Sequence, residues 1–185
     1  MRKGFSHPPE NWKFSVYGSQ DTAEVIDTYV KNSNGFLCFN QVEPFIPFKV
    51  DKYTVTALKA EHGTQNPYFY MISDKKSTIL YAHDTDYFPQ ETWEYLKIVK
   101  PHFDLVSFDC TEGAFDSIPY KGHMCLGSNI ACRDKLLKEG YIDSNTVMVL
   151  NHFSHNGKDG CYDVFKPIAE KEGFIISYDG LSLTF

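Results

Sequence analysis

The sequence predicts an α/β protein in which a β-meander comes first and alternating strands and helices follow. Three observations carry this. Aromatic residues make up 16% of the chain, and aromatics favour the pleated, half-buried surface of a strand. Between residues 36 and 83 the apolar residues fall into short β-type runs broken by Pro44, Pro47, Asp51 and a polar turn. After residue 88, apolar residues three and four apart alternate with short apolar runs, the pattern of helices alternating with buried strands.

Residues 12–17 (Trp-Lys-Phe-Ser-Val-Tyr) alternate large apolar with small or polar groups and stop at Gly18, which predicts a half-buried strand. Residues 19–31 place Ala23, Ile26 and Val30 three and four apart behind Ser19 or Asp21 as N-cap, which predicts a helix. The clearest run of the meander is 53–59. Strands at 68–73 and 78–83 flank Asp74-Lys75-Lys76-Ser77, a polar turn of hairpin length. The second half predicts a helix over 89–100, a buried strand over 103–108, a helix over 124–140 ended by Gly140, and a strand over 147–150. A helix over 162–172 follows, and a terminal hairpin of 174–178 with 181–185 around Asp179-Gly180 closes the chain.

The whole-chain numbers exclude several functions. A formal net charge of -6, with no Lys/Arg run longer than two, gives no attraction to phosphate backbones, so nucleic acid is not indicated as a partner. No apolar run is long enough to span a membrane and no apolar signal core follows Met1, so a cytoplasmic location without membrane contact is expected. Cys38, Cys110, Cys125, Cys132 and Cys161 form no Cys-x-x-Cys pair, which fits reduced thiols rather than disulfides or a cysteine zinc knuckle. With no repeat, low-complexity tract or linker, one domain spanning 1–185 is expected.

The histidines carry the chemistry. His62, His83, His123, His152 and His155 each sit where an apolar run gives way to polar, Gly- or Asp-containing residues, the place where α/β sheets build ligand sites. Three segments stand out: Ala60-Glu-His-Gly63, Leu80-Tyr-Ala-His-Asp-Thr-Asp86 and Leu150-Asn-His-Phe-Ser-His-Asn-Gly157. Imidazole nitrogens and a carboxylate suit zinc, manganese or iron, and such an ion lowers the pKa of bound water towards neutrality. A histidine at a strand end is also an ordinary hydrogen-bonded loop residue, and the residues alone leave both readings open.

The order of these segments resembles the later motifs of the metallo-β-lactamase superfamily. There a His follows a strand, a later strand ends in Asp-Thr or Asp-x-Gly, and a final strand ends in a metal-binding His; His62, Asp84 within His-Asp-Thr, and His152 within Asn-His-Phe-Ser-His match those positions. The branch it resembles most contains the phosphoribosyl cyclic phosphate diesterases and the tRNA 3′-end processing nucleases, whose last motif reads Thr-His-Phe-Ser or Thr-His-Ile-Gly-His. Phe108-Asp-Cys-Thr-Glu-Gly113, Gly122-His-Met124 and Ser177-Tyr-Asp-Gly180 agree with it.

The resemblance implies a four-layer αββα sandwich and a metal-dependent hydrolase, foremost a phosphodiesterase acting on a small, even cyclic, phosphodiester. It implies two divalent ions (Zn, Mn or Fe), with His62, Asp84 and His152 as ligands and Asp84 bridging. His123 would be a general acid or electrostatic partner, and His155 and Asp109 would support a ligand or touch substrate. His83 and His102 read as surface or packing residues; His7 matches no motif.

The superfamily's first motif, His-x-His-x-Asp-His, is absent, and no His-x-His occurs in the chain. The match therefore covers the C-terminal two-thirds of the family's domain, without its first strands. Two consequences are expected: weak or no metal binding by the chain as given, and an open sheet edge and apolar face that a homodimer or partner segment would cover. A non-catalytic binding module of the same fold, and a hydrolase of lactone, thioester or β-lactam substrates, are the alternatives.

Overall fold

The computed structural model describes residues 13–119 and 121–185; His7 and Trp12 lie outside them. The chain divides into two compact units, one ending at Glu43 and the other spanning Pro44–Phe185. In the first, strands β1 (Phe14–Gly18) and β2 (Leu37–Gln41) pair in parallel, from Phe14↔Leu37 to Gly18↔Gln41, through helix α1 (Gln20–Lys31). Ser19 caps α1 as its sequence predicts, its Oγ accepting the Thr22 N–H.

The second unit is built on a seven-stranded sheet. Strands β3 (Phe48–Val50), β4 (Tyr53–Lys59), β5 (Tyr68–Ser73) and β6 (Thr78–Ala82) form an antiparallel meander. From β6 the sheet turns parallel: β6, β7 (Leu105–Asp109), β8 (Val147–Asn151) and β9 (Ile175–Ile176) lie side by side in chain order. Helices α2 (Gln90–Val99), α3 (Leu126–Lys138) and α4 (Tyr162–Lys171) make the three crossovers, as parallel neighbours require.

Register aligns the core. Leu58 faces Phe69; Leu80, Val106 and Met148 are successive partners, as are Ala82, Phe108, Leu150 and Ile176. These side chains share one hydrophobic core with Trp93 and Leu96 of α2, Cys132 and Leu136 of α3, and Phe165 and Ala169 of α4. All five residues of β7 are buried, the condition of a central parallel strand covered on both faces. On the opposite face Leu105, Ser107 and Val149 are buried while Tyr81 and Ile175 are exposed.

Two expectations are corrected. The terminal hairpin does not form: β9 is two residues long and joins β8 in parallel, Val149↔Ile175 and Leu150↔Ile176, and residues 181–185 are not a strand. The turn at Asp179-Gly180 exists, with the Leu181 N–H donating to the Tyr178 carbonyl. Its far arm is mostly exposed, and β9 spends its hydrogen bonds on β8 instead. The strand expected over 103–108 begins only at Leu105, because the Phe103 N–H donates to the Tyr141 carbonyl and Asp104 to Thr78.

Candidate metal centre

Topology brings the singled-out residues to one edge. Strands β4, β6, β7 and β8 all run in the same direction, since two antiparallel steps separate β4 from β6 and the rest are parallel. His62 follows the end of β4, Asp84 that of β6, Asp109 closes β7 and His152 follows β8. Carboxyl ends of strands are where open α/β sheets place ligands.

The loops are tied to each other. The Glu61 N–H donates to Thr85 Oγ1 at 3.0 Å and the Asp86 N–H to the Glu61 carbonyl at 2.8 Å, joining the His62 and Asp84 loops through the fully buried Thr85. The Cys110 N–H donates to the Asn151 carbonyl at 2.8 Å, joining the loops after β7 and β8. Asp84 (φ 51°) and His152 (φ 60°) both adopt the left-handed backbone conformation, which Asp tolerates better than most residues other than glycine.

Each imidazole is committed at Nδ1. His62 Nδ1 lies 2.8 Å from the Gly122 carbonyl oxygen, which only accepts, so Nδ1 carries the proton. His123 Nδ1 donates to Asp109 Oδ2 at 2.8 Å. The Thr111 hydroxyl spends its proton on the His152 carbonyl at 2.8 Å, so at 2.8 Å from His152 Nδ1 it must accept. Three rings thus hold Nδ1–H inward and leave Nε2 with a free lone pair, the arrangement in which metal-binding histidines are held.

The Asp84 carboxylate stands between two of those nitrogens, with Oδ1 3.3 Å from His152 Nε2 and 4.0 Å from His62 Nε2. Two donors on one tetrahedral zinc are about 3.3 Å apart, so the His152–Asp84 pair already has ligand spacing. Ligand atoms of Asp84, Asp109, His123 and His152 all lie within 4.8 Å of one another, and His62 falls outside that group. The His123 and His152 rings are nearly parallel, 21° apart with centroids at 5.4 Å, and His62 meets His123 edge-on at 4.7 Å. Asp109 is fully buried, and its Oδ1 also accepts the Thr111 N–H at 2.9 Å. Among the described residues, the ion-pair partners of both Asp84 and Asp109 are histidines, with no Lys or Arg.

Other expected residues fall as follows. His155 is exposed in the turn after β8 and outside the converging group. His83 packs, as expected: its Nε2 meets Ser107 Oγ at 2.8 Å and its ring lies against Tyr81. Burial, reinforced by neighbouring His152, pushes its pKa down to about 4. His102 pairs with Asp143 on the surface. Sequence reasoning missed Thr111, which orders two imidazoles, and Gly122, whose carbonyl orders a third. Thr111 lies in the turn just after β7, two residues beyond Asp109, and its place within Asp-Cys-Thr-Glu-Gly was the signal available.

No protein-family profile matches the chain, and no curated protein matches it. Solved structures do. The metallo-β-lactamase fold protein YhfI from Bacillus subtilis is 19% identical with a TM-score of 0.66, over 91% of this chain and 64% of that one. A diphosphatase of the PhnP family is 18% identical with a TM-score of 0.64, over 92% and 58%. Unliganded yeast PDE1 is 17% identical with a TM-score of 0.70, over 95% and 61%. The chain therefore has the metallo-β-lactamase fold, and it spans about three-fifths of the length of these structures.

Proposed function

We propose that this chain carries the metal-binding strand ends of a hydrolase that cleaves a small phosphodiester. The observation that supports this best is the set of three imidazoles anchored through Nδ1, two of which, His62 and His152, turn Nε2 to the Asp84 carboxylate. The donors fit a divalent zinc, manganese or iron ion in chemistry and in the His152–Asp84 spacing. Of the two ions that the motif resemblance implies, His62, Asp84 and His152 would be ligands, and a bound ion would polarise a phosphoryl oxygen and activate water.

The chain's own residues do the rest. Asp84 points its carboxylate towards the His62 and His152 imidazoles and would be shared between the ions that the motif resemblance implies. Asp109 fixes the orientation of the His123 ring by accepting from its Nδ1–H. The phosphodiester preference rests on the motif resemblance and on the likeness to a diphosphatase of the PhnP family.

The test is a panel of bis-nitrophenyl phosphate, a cyclic nucleotide and a lactone, each with added zinc or manganese. Turnover of a phosphodiester, abolished by chelator and by Asp84→Ala, is expected; turnover of the lactone alone sinks the substrate assignment. A second reading is a non-catalytic binding module of the same fold. Metal bound without turnover of any panel member would select it.

A further inference from the structure

The donors around Asp84 are unequally distributed. On the His62 side, the described residues supply one imidazole and one shared carboxylate, 4.0 Å apart. On the His152 side the Asp84 contact is 3.3 Å and two further groups converge, His123 and the fully buried Asp109. His123 and His152 are a matched pair. Their rings are nearly parallel, and both turn Nδ1 to the same floor, where Thr111 Oγ1 lies 3.1 Å and 2.8 Å from them. Asp109 Oδ2 lies 2.8 Å from the first Nδ1 and 3.6 Å from the second. One carboxylate and one hydroxyl thus hold two imidazoles so that each offers Nε2 on its far edge. Buried carboxylates are normally compensated by cations or metal, and here the surrounding partners are neutral donors and histidines.

We infer that the chain on its own binds one divalent cation, held by Asp84, His123 Nε2 and His152 Nε2 with Asp109 behind the two imidazoles. His123 is then a ligand rather than the proton donor that the motif resemblance implies, and His62 is dispensable for this ion. Three protein ligands leave a fourth position open, the arrangement of catalytic zinc sites. The inference rests on the proposed metal-binding reading of the cluster and replaces the expectation that the isolated chain binds metal weakly or not at all.

Zinc titration of the 185-residue chain by calorimetry, with native mass spectrometry for stoichiometry, tests it. One equivalent is expected. His123→Ala and His152→Ala should each weaken binding by about 100-fold or more, beyond the 10- to 100-fold usual for groups behind a ligand. His62→Ala should change it by less than about 3-fold on the same scale. Because His123→Ala strips a buried carboxylate of its partner, X-ray absorption on the zinc-loaded unsubstituted chain gives an independent reading: two imidazoles per zinc support the site, and one contradicts it. Binding kept by His123→Ala and lost by His62→Ala overturns this inference but leaves the hydrolase reading standing. No binding by the unsubstituted chain overturns the inference and also removes the metal basis of that reading.

Discussion

At the scale of single residues, the site is a matter of which nitrogen carries the proton. Asp109 accepts from the Thr111 N–H and from His123 Nδ1–H, so both oxygens act as acceptors. In Asp109→Asn one oxygen becomes an NH2 donor. With the remaining oxygen kept on Thr111, that donor would face His123 and force its proton to Nε2. The expected outcome is a changed His123 tautomer in imidazole 15N spectra and a loss of about 10- to 100-fold in metal affinity, with little change in secondary structure by circular dichroism. Asp84 allows a separate test, since its φ of 51° is tolerated by Asn and Asp better than by Ala. Asp84→Asn should keep near-native stability in urea unfolding, and Asp84→Ala should lose about 1 kcal/mol relative to it. None of this is visible in a list of histidines: the left-handed backbone of Asp84 and His152, and the bond from His62 to Gly122 sixty residues away, arise only when the loops meet.

Elements set where those residues go, and their order was legible in the sequence. The antiparallel strands 53–59, 68–73 and 78–83, and the alternation after residue 88, follow from period-two and helical spacing, so the placement of His62, Asp84 and His152 at strand ends was readable. What joins the strand ends was not. The loop after β7 is pressed between α3 and the loop after β8: Leu126 and Gly127 donate to the Gly113 and Phe115 carbonyls, and Lys158 donates to the Glu112 carbonyl. A Cβ on Gly127 would run into the Asp116 carbonyl, and one on Gly113, with φ 67°, would run into the Lys158 carbonyl. Glycine in a helix ordinarily costs stability relative to alanine, so Gly127→Ala would be stabilising on propensity alone. The packing reverses the sign: a loss of about 1–3 kcal/mol is expected, read as a lower urea midpoint. The hairpin predicted at 174–185 shows the opposite failure, because turn residues fix a turn but cannot supply the surface that makes two flanking runs pair.

Across the whole molecule, the sheet and its three helices bury one core. Cys110, Cys125 and Cys132 lie in the buried interior, while Cys161 is exposed and Cys38 half-buried. Burial raises the Cys110 thiol well above its usual range and pushes Cys132 up to about 12. The sign follows: a thiol whose folded value is raised stabilises the fold below its unfolded value of 9.0 and withdraws that support as the pH climbs past it. Only Cys38 and Cys161 should react readily with a thiol reagent in the native chain at neutral pH, all five on unfolding, and stability should decline above about pH 9. The fold was legible because strand and helix periods and the strand-end positions of His62, Asp84 and His152 agree. The extra reach of the His152 side was not, because it depends on Asp109 and Thr111 acting together on rings 14 and 41 residues away. The most direct test is long-range 1H–15N correlation of the histidines in the metal-free chain at mildly alkaline pH. The account predicts the Nδ1–H form for His62, His123 and His152, with Nε2 unprotonated and, for His123 and His152, shifted on adding zinc. An Nε2–H form at either His123 or His152, or no shift with zinc, would contradict it.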